Sequence, residues 1–378
     1  MKNLKYLYLL LTVFPSLLFA QSKAIIEIQN TSDLERKEAV VSIEWKAILS
    51  HFPKIDTTNF VVVNPATKKQ IPFQFEHKGK SGIQNLLLQL NIKAKSTVRF
   101  SIQKGKPESF AVKTFARYVP ERMDDFAWEN DKIAFRAYGK ALEKTRDDAY
   151  GLDVWVKRTD KMVINERYKT GEYHADHGNG LDYYKVGFTL GAGSMAPYIK
   201  DSVYYSGNYH RWKLLDNGPL RSTFQLEYDA WDAAGTKVSC VKTISLDAGS
   251  QLNRIENVYT YSDNKAMPVA VGISKRPENG VLLLNEQKGI LGYWEPKHGD
   301  DGTTGVGSIL ITPVKNMLVE KEQLLAETET KNNETIVYYT GAVWDKTGKI
   351  TNSAQWFDYL NHFSEELKNP LVVNVKAL

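Results

Sequence analysis

A single cysteine, Cys240, stands among the 378 residues, so an intrachain disulfide is excluded. It sits inside the alternating run GTKVSCVKTISL, where a small buried hydrophobe is expected and a catalytic thiol is not. Charge of one sign is also lacking. The net charge is +5 with no basic run, and removing Lys2 and Lys5 with a leader leaves +3. Electrostatic capture of nucleic acid is therefore not expected. There is no phosphate-binding loop, no dinucleotide-binding glycine pattern, no internal repeat and no low-complexity tract. Long apolar runs are confined to the first twenty residues, MKNLKYLYLLLTVFPSLLFA. Lys2 and Lys5 precede the apolar stretch 7–18, which Pro15 interrupts and Ala20 closes with a small side chain. That is the pattern of a secretory signal cleaved near Ala20, and the run is too short to span a membrane comfortably. A periplasmic or secreted protein without membrane insertion is expected.

What remains is almost wholly β-patterned. From residue 22 to about 105, AIIEIQN, AVVSIEW, FVVVN, IPFQF, NLLLQL and TVRFSIQ alternate or run apolar between turn clusters. This predicts an immunoglobulin-like sandwich that packs or presents and does not catalyse. The polar stretch KGKPESFAVK forms the boundary. Residues 114–378 then carry a dozen or more strand-like runs at hairpin spacing, too many for one immunoglobulin-like fold and suited to a large two-sheet sandwich. One helix is expected near the end, where Trp356, Leu360, Phe363 and Leu367 form one stripe; Thr351, Asn352 or Ser353 caps it and Pro370 follows it.

The chemistry concentrates in four segments that set charges beside aromatics. The foremost is 171–198, GEYHADHGNGLDYYKVGFTLGAGSMAPY, a Gly-punctuated loop entering a strand. The others are RMDDFAWENDKIAFRAYG, SGNYHRWKLLDNGPLR, and ISKRPENG through YWEPKHGDDGTTG. Rings stack on sugar C–H faces and planar charged groups bind hydroxyls in pairs, so these point to an oligosaccharide or monosaccharide ligand. Proton-transfer candidates are His174, His177, His210, Asp182 and Tyr184, with Glu295 or Asp301 as further carboxylates. Arg221 and Arg276 would hold a uronate carboxylate, and Arg122, Lys185, Trp212 and Trp294 would line the sugar site. No cofactor is required by this chemistry. A divalent metal is an open alternative, for which His174, Asp176 and His177 are the ligands at hand, although the spacing matches no standard zinc signature.

Five of these motifs in order, RMDDFAWENDKIAFRAYG, GLDVWVKR, YHADHGNGLDYYKVGFTLGAG, NGPLRSTFQLEY and WFDYLNHF, resemble a secreted bacterial domain-of-unknown-function family (family 4861). The resemblance spans nearly the whole mature chain. It implies a galactose-mutarotase-like supersandwich, so the expected fold is all-β, with the immunoglobulin-like β-sandwich read from spacing followed by that supersandwich. It also implies a place in polysaccharide degradation and a carbohydrate substrate, with a uronate as one such substrate. It carries across no catalytic residues. Two functional expectations follow: an enzyme of lyase, isomerase or mutarotase type, with glycoside hydrolysis also open although no spacing identifies its carboxylate pair, or a carbohydrate-binding protein without catalysis.

Overall fold

Period-2 burial sets the architecture. Strand Ala24–Asn30 reads buried at every second residue, with Ala24, Ile26 and Ile28 fully enclosed. The computed structural model describes residues 24–263 and 265–377. The expected leader, residues 1–20, lies outside the described residues. The first module is a sandwich of two antiparallel sheets. One holds strands Val372–Ala377, Ala24–Asn30, Ser96–Lys104 and Phe60–Val63 in that order; the other holds Arg36–Glu44, Asn85–Ile92 and Phe73–Glu76. Their inner faces share one core, with Trp45, Phe60, Phe73 and Phe75 meeting edge to face.

The last strand departs from the expected division at residues 105 and 114. Val372–Ala377 leaves the second domain and pairs antiparallel with the first strand, from Ala24↔Ala377 to Gln29↔Val372. The partners are some 350 positions apart, so no local pattern announces the pairing.

The second domain is the supersandwich. An eight-stranded antiparallel sheet runs from Arg211–Asn217 through Arg221–Ala233, Thr236–Asp247, Leu252–Tyr261 and Thr335–Trp344 to Val281–Asn285. Its inner face packs Phe224, Leu226, Ile244, Ile255 and Tyr338 against two five-stranded sheets in one continuous core that also encloses Cys240. Burial pushes that thiol up to about 12, which keeps it protonated. The final helix is Ser353–Lys368, and Asn352 is the residue that caps it, accepting from the Gln355 N–H at 3.0 Å. Trp356 and Leu360 are fully buried on the outer face of the large sheet, against Trp294 and Ile309. Two short helices, Trp45–His51 and Ile164–Thr170, add to the one expected helix. Among the described residues no helix is long and apolar enough to cross a membrane.

Candidate functional site

The site is built on the outward face of the five-stranded sheet that runs from Thr114–Val119 to Gly180–Asp182. Phe126, Trp128, Phe135, Val154 and Val156 point into the core. Alternation then turns Asp125, Arg136, Asp153, Trp155 and Asp182 to the opposite face, where Arg136 lies directly across from Asp153, and Trp155 across from Asp182. This face is covered by helix Ile164–Thr170 and the loop after it. Tyr168 donates to Asp125 at 3.1 Å, Tyr173 stacks on Trp155 at 4.7 Å, and the Asp182 N–H donates to the Tyr173 carbonyl at 2.7 Å.

The helix is pinned from beneath. The buried Glu129 carboxylate accepts from the N–H groups of Val163 and Ile164 at 2.8 Å, while Lys157 Nζ meets it at 2.7 Å with neither side chain exposed. Gly171 ends the helix in the left-handed conformation at φ 71°. The loop returns to the sheet at Gly180, φ 108°, where a Cβ would stand 2.0 Å from the Val156 carbonyl oxygen.

Three carboxylates surround one guanidinium. Arg136 bonds Asp153 at 2.5 Å and Asp182 at 3.0 Å, with Asp125 at 3.6 Å; Arg122 adds a second cation 3.2 Å from Asp125. Three negative charges against two positive ones in a buried site favour retention of a proton. Burial, then the neighbouring Asp153 charge, raises Asp182 to about 8 against the pull of Arg136. Burial likewise raises Asp125 to about 6.

A second buried pair adjoins the first across the Asp182–Tyr183 peptide. Arg276 bonds Glu295 at 3.0 Å and the Tyr183 carbonyl at 2.8 Å. Burial raises Glu295 to about 7, with Arg276 opposing. Thr304 donates to the Tyr183 hydroxyl at 2.7 Å, and the Tyr183 ring stacks on His298 at 5.5 Å.

Two imidazoles stand at the exposed lip of this pair of clusters. His174 is 69% exposed; its Nδ1 lies 2.9 Å from the Asp182 carbonyl oxygen and 3.7 Å from the carboxylate. A carbonyl only accepts, so Nδ1 carries the proton and Nε2 is the free nitrogen. His298 repeats the arrangement, with Nδ1 3.1 Å from Asp301 and the side chain 54% exposed. The Asp301 carbonyl in turn accepts from the Trp344 indole at 2.7 Å.

The structure therefore brings together His174, Asp182, Glu295, Asp301, Arg122 and Arg276 from the expected set. Tyr184, His177, Lys185, His210, Trp212, Arg221, Trp294 and Asp176 are placed elsewhere. Tyr184 faces the core, donating to the Gly191 carbonyl at 3.1 Å, and its neighbour Tyr183 faces the site instead. His177 lies exposed on the loop, 3.7 Å from Glu172, and Lys185 is exposed. His210 sits between Asp229 at 2.7 Å and Glu143 at 3.4 Å, while the half-exposed Trp212 stacks on Tyr118. Arg221 grips Asp247 and Glu76 at the junction of the two domains. Trp294 packs beside the final helix because its strand turns Tyr293 the other way, into the core. Of the three residues considered for a metal, Asp176 accepts from the N–H groups of Gly178 and Gly180 and pairs with Arg158 at 2.8 Å. Among the described residues no three His, Cys, Asp or Glu side chains converge as a ligand set. Asp153, Trp155, Tyr173 and Tyr183 were not singled out from sequence. A carboxylate within the otherwise apolar run LDVWV was the available signal for Asp153, since it needs a buried cation such as Arg136.

Comparison with known proteins places this geometry in context. The chain is 31% identical to the uncharacterized protein P7 of Formosa agariphila over an alignment of 404 positions that covers all of both chains. Two solved Enterococcus faecalis structures share the fold at 10% identity. One is a protein in glycosyl hydrolase family 38 (TM-score 0.52) and the other an alpha-mannosidase (TM-score 0.51). Each similarity covers 94% of this chain, which spans 47% and 46% of theirs, somewhat under half. The family model described as a domain of unknown function (DUF4861) matches residues 28–373, and the chain belongs to that family.

Proposed function

We propose that the protein is a carbohydrate-active enzyme that moves protons on an acidic sugar, in a reaction of lyase, isomerase or mutarotase type. The observation that supports this best is the pair of exposed imidazoles. His174 and His298 are each held through Nδ1 and stay more than half exposed, beside buried carboxyl groups that burial inclines to keep a proton. One imidazole accepts a proton from the sugar and the other returns one. Arg122, 25% exposed and paired with Asp125 at 3.2 Å, would be drawn from that pair to a uronate carboxylate, with Arg276 held behind it by Glu295. Tyr173 and Tyr183 supply ring faces beside the two histidines. Residues 1–20 act as the leader of a periplasmic or secreted protein, so purification from the native host yields a chain beginning at Gln21.

A proton NMR time course with saturated and unsaturated uronate oligosaccharides tests the reading. A new alkene signal identifies a lyase, loss of an existing one identifies consumption of unsaturated ends, and faster anomeric exchange alone identifies a mutarotase. His174→Ala and His298→Ala are each expected to lower turnover by about 100-fold or more. Full turnover in both variants would overturn the assignment.

A further inference from the structure

A cavity of about 910 Å³ lies away from the histidine pair, between the first sandwich, the outer face of the eight-stranded sheet and the final helix. We infer that this interdomain groove binds a neutral, hydroxyl-rich oligosaccharide chain; the inference rests on the carbohydrate reading above.

The floor comes from cross-strand register. Thr223, Ser245, Arg254 and Tyr339 are successive partners across four strands, and Gln225, Thr243 and Glu256 form the next row. Same-face neighbours are about 7 Å apart along a strand and about 5 Å apart across strands. The result is a lattice of hydroxyl, amide and guanidinium groups on a surface whose reverse side is core. Adjacent members are already hydrogen-bonded, Thr223 to Ser245 at 3.0 Å and Gln225 to Thr243 at 3.2 Å, which fixes their rotamers before a ligand arrives. Tyr339 meets Phe363 of the final helix edge to face at 5.3 Å, giving the lattice an aromatic border for sugar C–H faces.

Charge selects the class of sugar. Each guanidinium in the groove is engaged: Arg221 with Asp247 and Glu76, Arg254 with Glu256. The carboxylates added by the lining are engaged as well: Glu35 by Lys37 at 2.7 Å, Glu38 by Lys132 at 2.8 Å and Glu366 by Arg36 at 3.3 Å. An anionic sugar would find no free guanidinium and no surplus of positive charge, whereas neutral hydroxyls can donate to the paired carboxylates and accept from the paired arginines. The groove thus takes a part of the polymer chemically unlike the acidic unit proposed at the histidine pair.

Calorimetry on the full mature chain with mannohexaose, cellohexaose and a galacturonate hexamer tests this. The native protein is expected to bind a neutral hexaose, and His174→Ala to bind it unchanged. Gln225→Trp fills the groove and should abolish that binding. The double variant Thr243→Ala with Ser245→Ala removes hydrogen bonds without adding bulk and should weaken binding about tenfold. Circular dichroism confirms that each variant is folded. The proposal is overturned if neither neutral hexaose binds, if both groove variants bind like the native chain, or if Gln225→Trp removes only the galacturonate. Absence of turnover with groove binding intact would sink the enzymatic reading and leave this one standing.

Discussion

At the scale of single residues, raised carboxyl pKa values tie stability to pH in a definite direction. Asp182 moves from 3.8 to about 8 and Glu295 from 4.5 to about 7, both through burial first. The folded protein therefore binds more protons than the unfolded chain between pH 4 and 8, and stability from these groups declines as pH climbs through that window. Asp182→Asn removes one such titration while retaining an acceptor for Arg136. Its Tm relative to the native protein should rise between pH 5 and pH 8.5; a pH-independent difference would show that Asp182 is ionised throughout. The Tyr183–Tyr184 pair marks where sequence reading failed. Strand Gly180–Asp182 ends just before them, so period-2 parity does not extend to the pair, and nothing local tells which ring faces out.

Among the elements, helix Ile164–Thr170 positions the loop that carries His174, and Glu129 holds that helix from a neighbouring strand. Glu129→Gln keeps the shape but leaves Lys157 buried without its counter-ion. A loss of about 3–5 kcal/mol is expected in urea unfolding, with reduced order at Tyr173 and His174 by hydrogen exchange. The helix was not legible, since MVINERYKT has no sustained apolar stripe and its support comes from a carboxylate some 35 positions earlier. The final helix was legible because Trp356 and Leu360 hold its amphipathic period. Trp356 is fully buried and donates to the Val306 carbonyl at 3.1 Å, so Trp356→Ala should cost about 3–5 kcal/mol. Strands such as FVVV and NLLLQL were legible from a different signal, short apolar runs that the structure buries almost throughout.

For the whole molecule, the all-β plan with its small and large sandwiches was written in composition and spacing, whereas the way the domains join was not. Arg221 shows why. From NGPLR it reads as a free cation for a sugar acid, yet Glu76 in the other domain and Asp247 across the strand engage it. Arg221→Ala should therefore weaken the domain junction, lowering Tm and leaving unchanged any turnover measured for the reaction proposed at the histidine pair; loss of that turnover would contradict this placement. The pairing of Val372–Ala377 with Ala24–Asn30 has a consequence for biogenesis. A ribosome releases the first strand long before its partner exists, and until the final residues emerge one flank of Ala24–Asn30 lacks its native neighbour. The small sandwich, though it starts earlier in the chain, can be finished only after the large one has been made. Any nascent chain cut short before residue 372 would then display a strand open to pairing with another molecule.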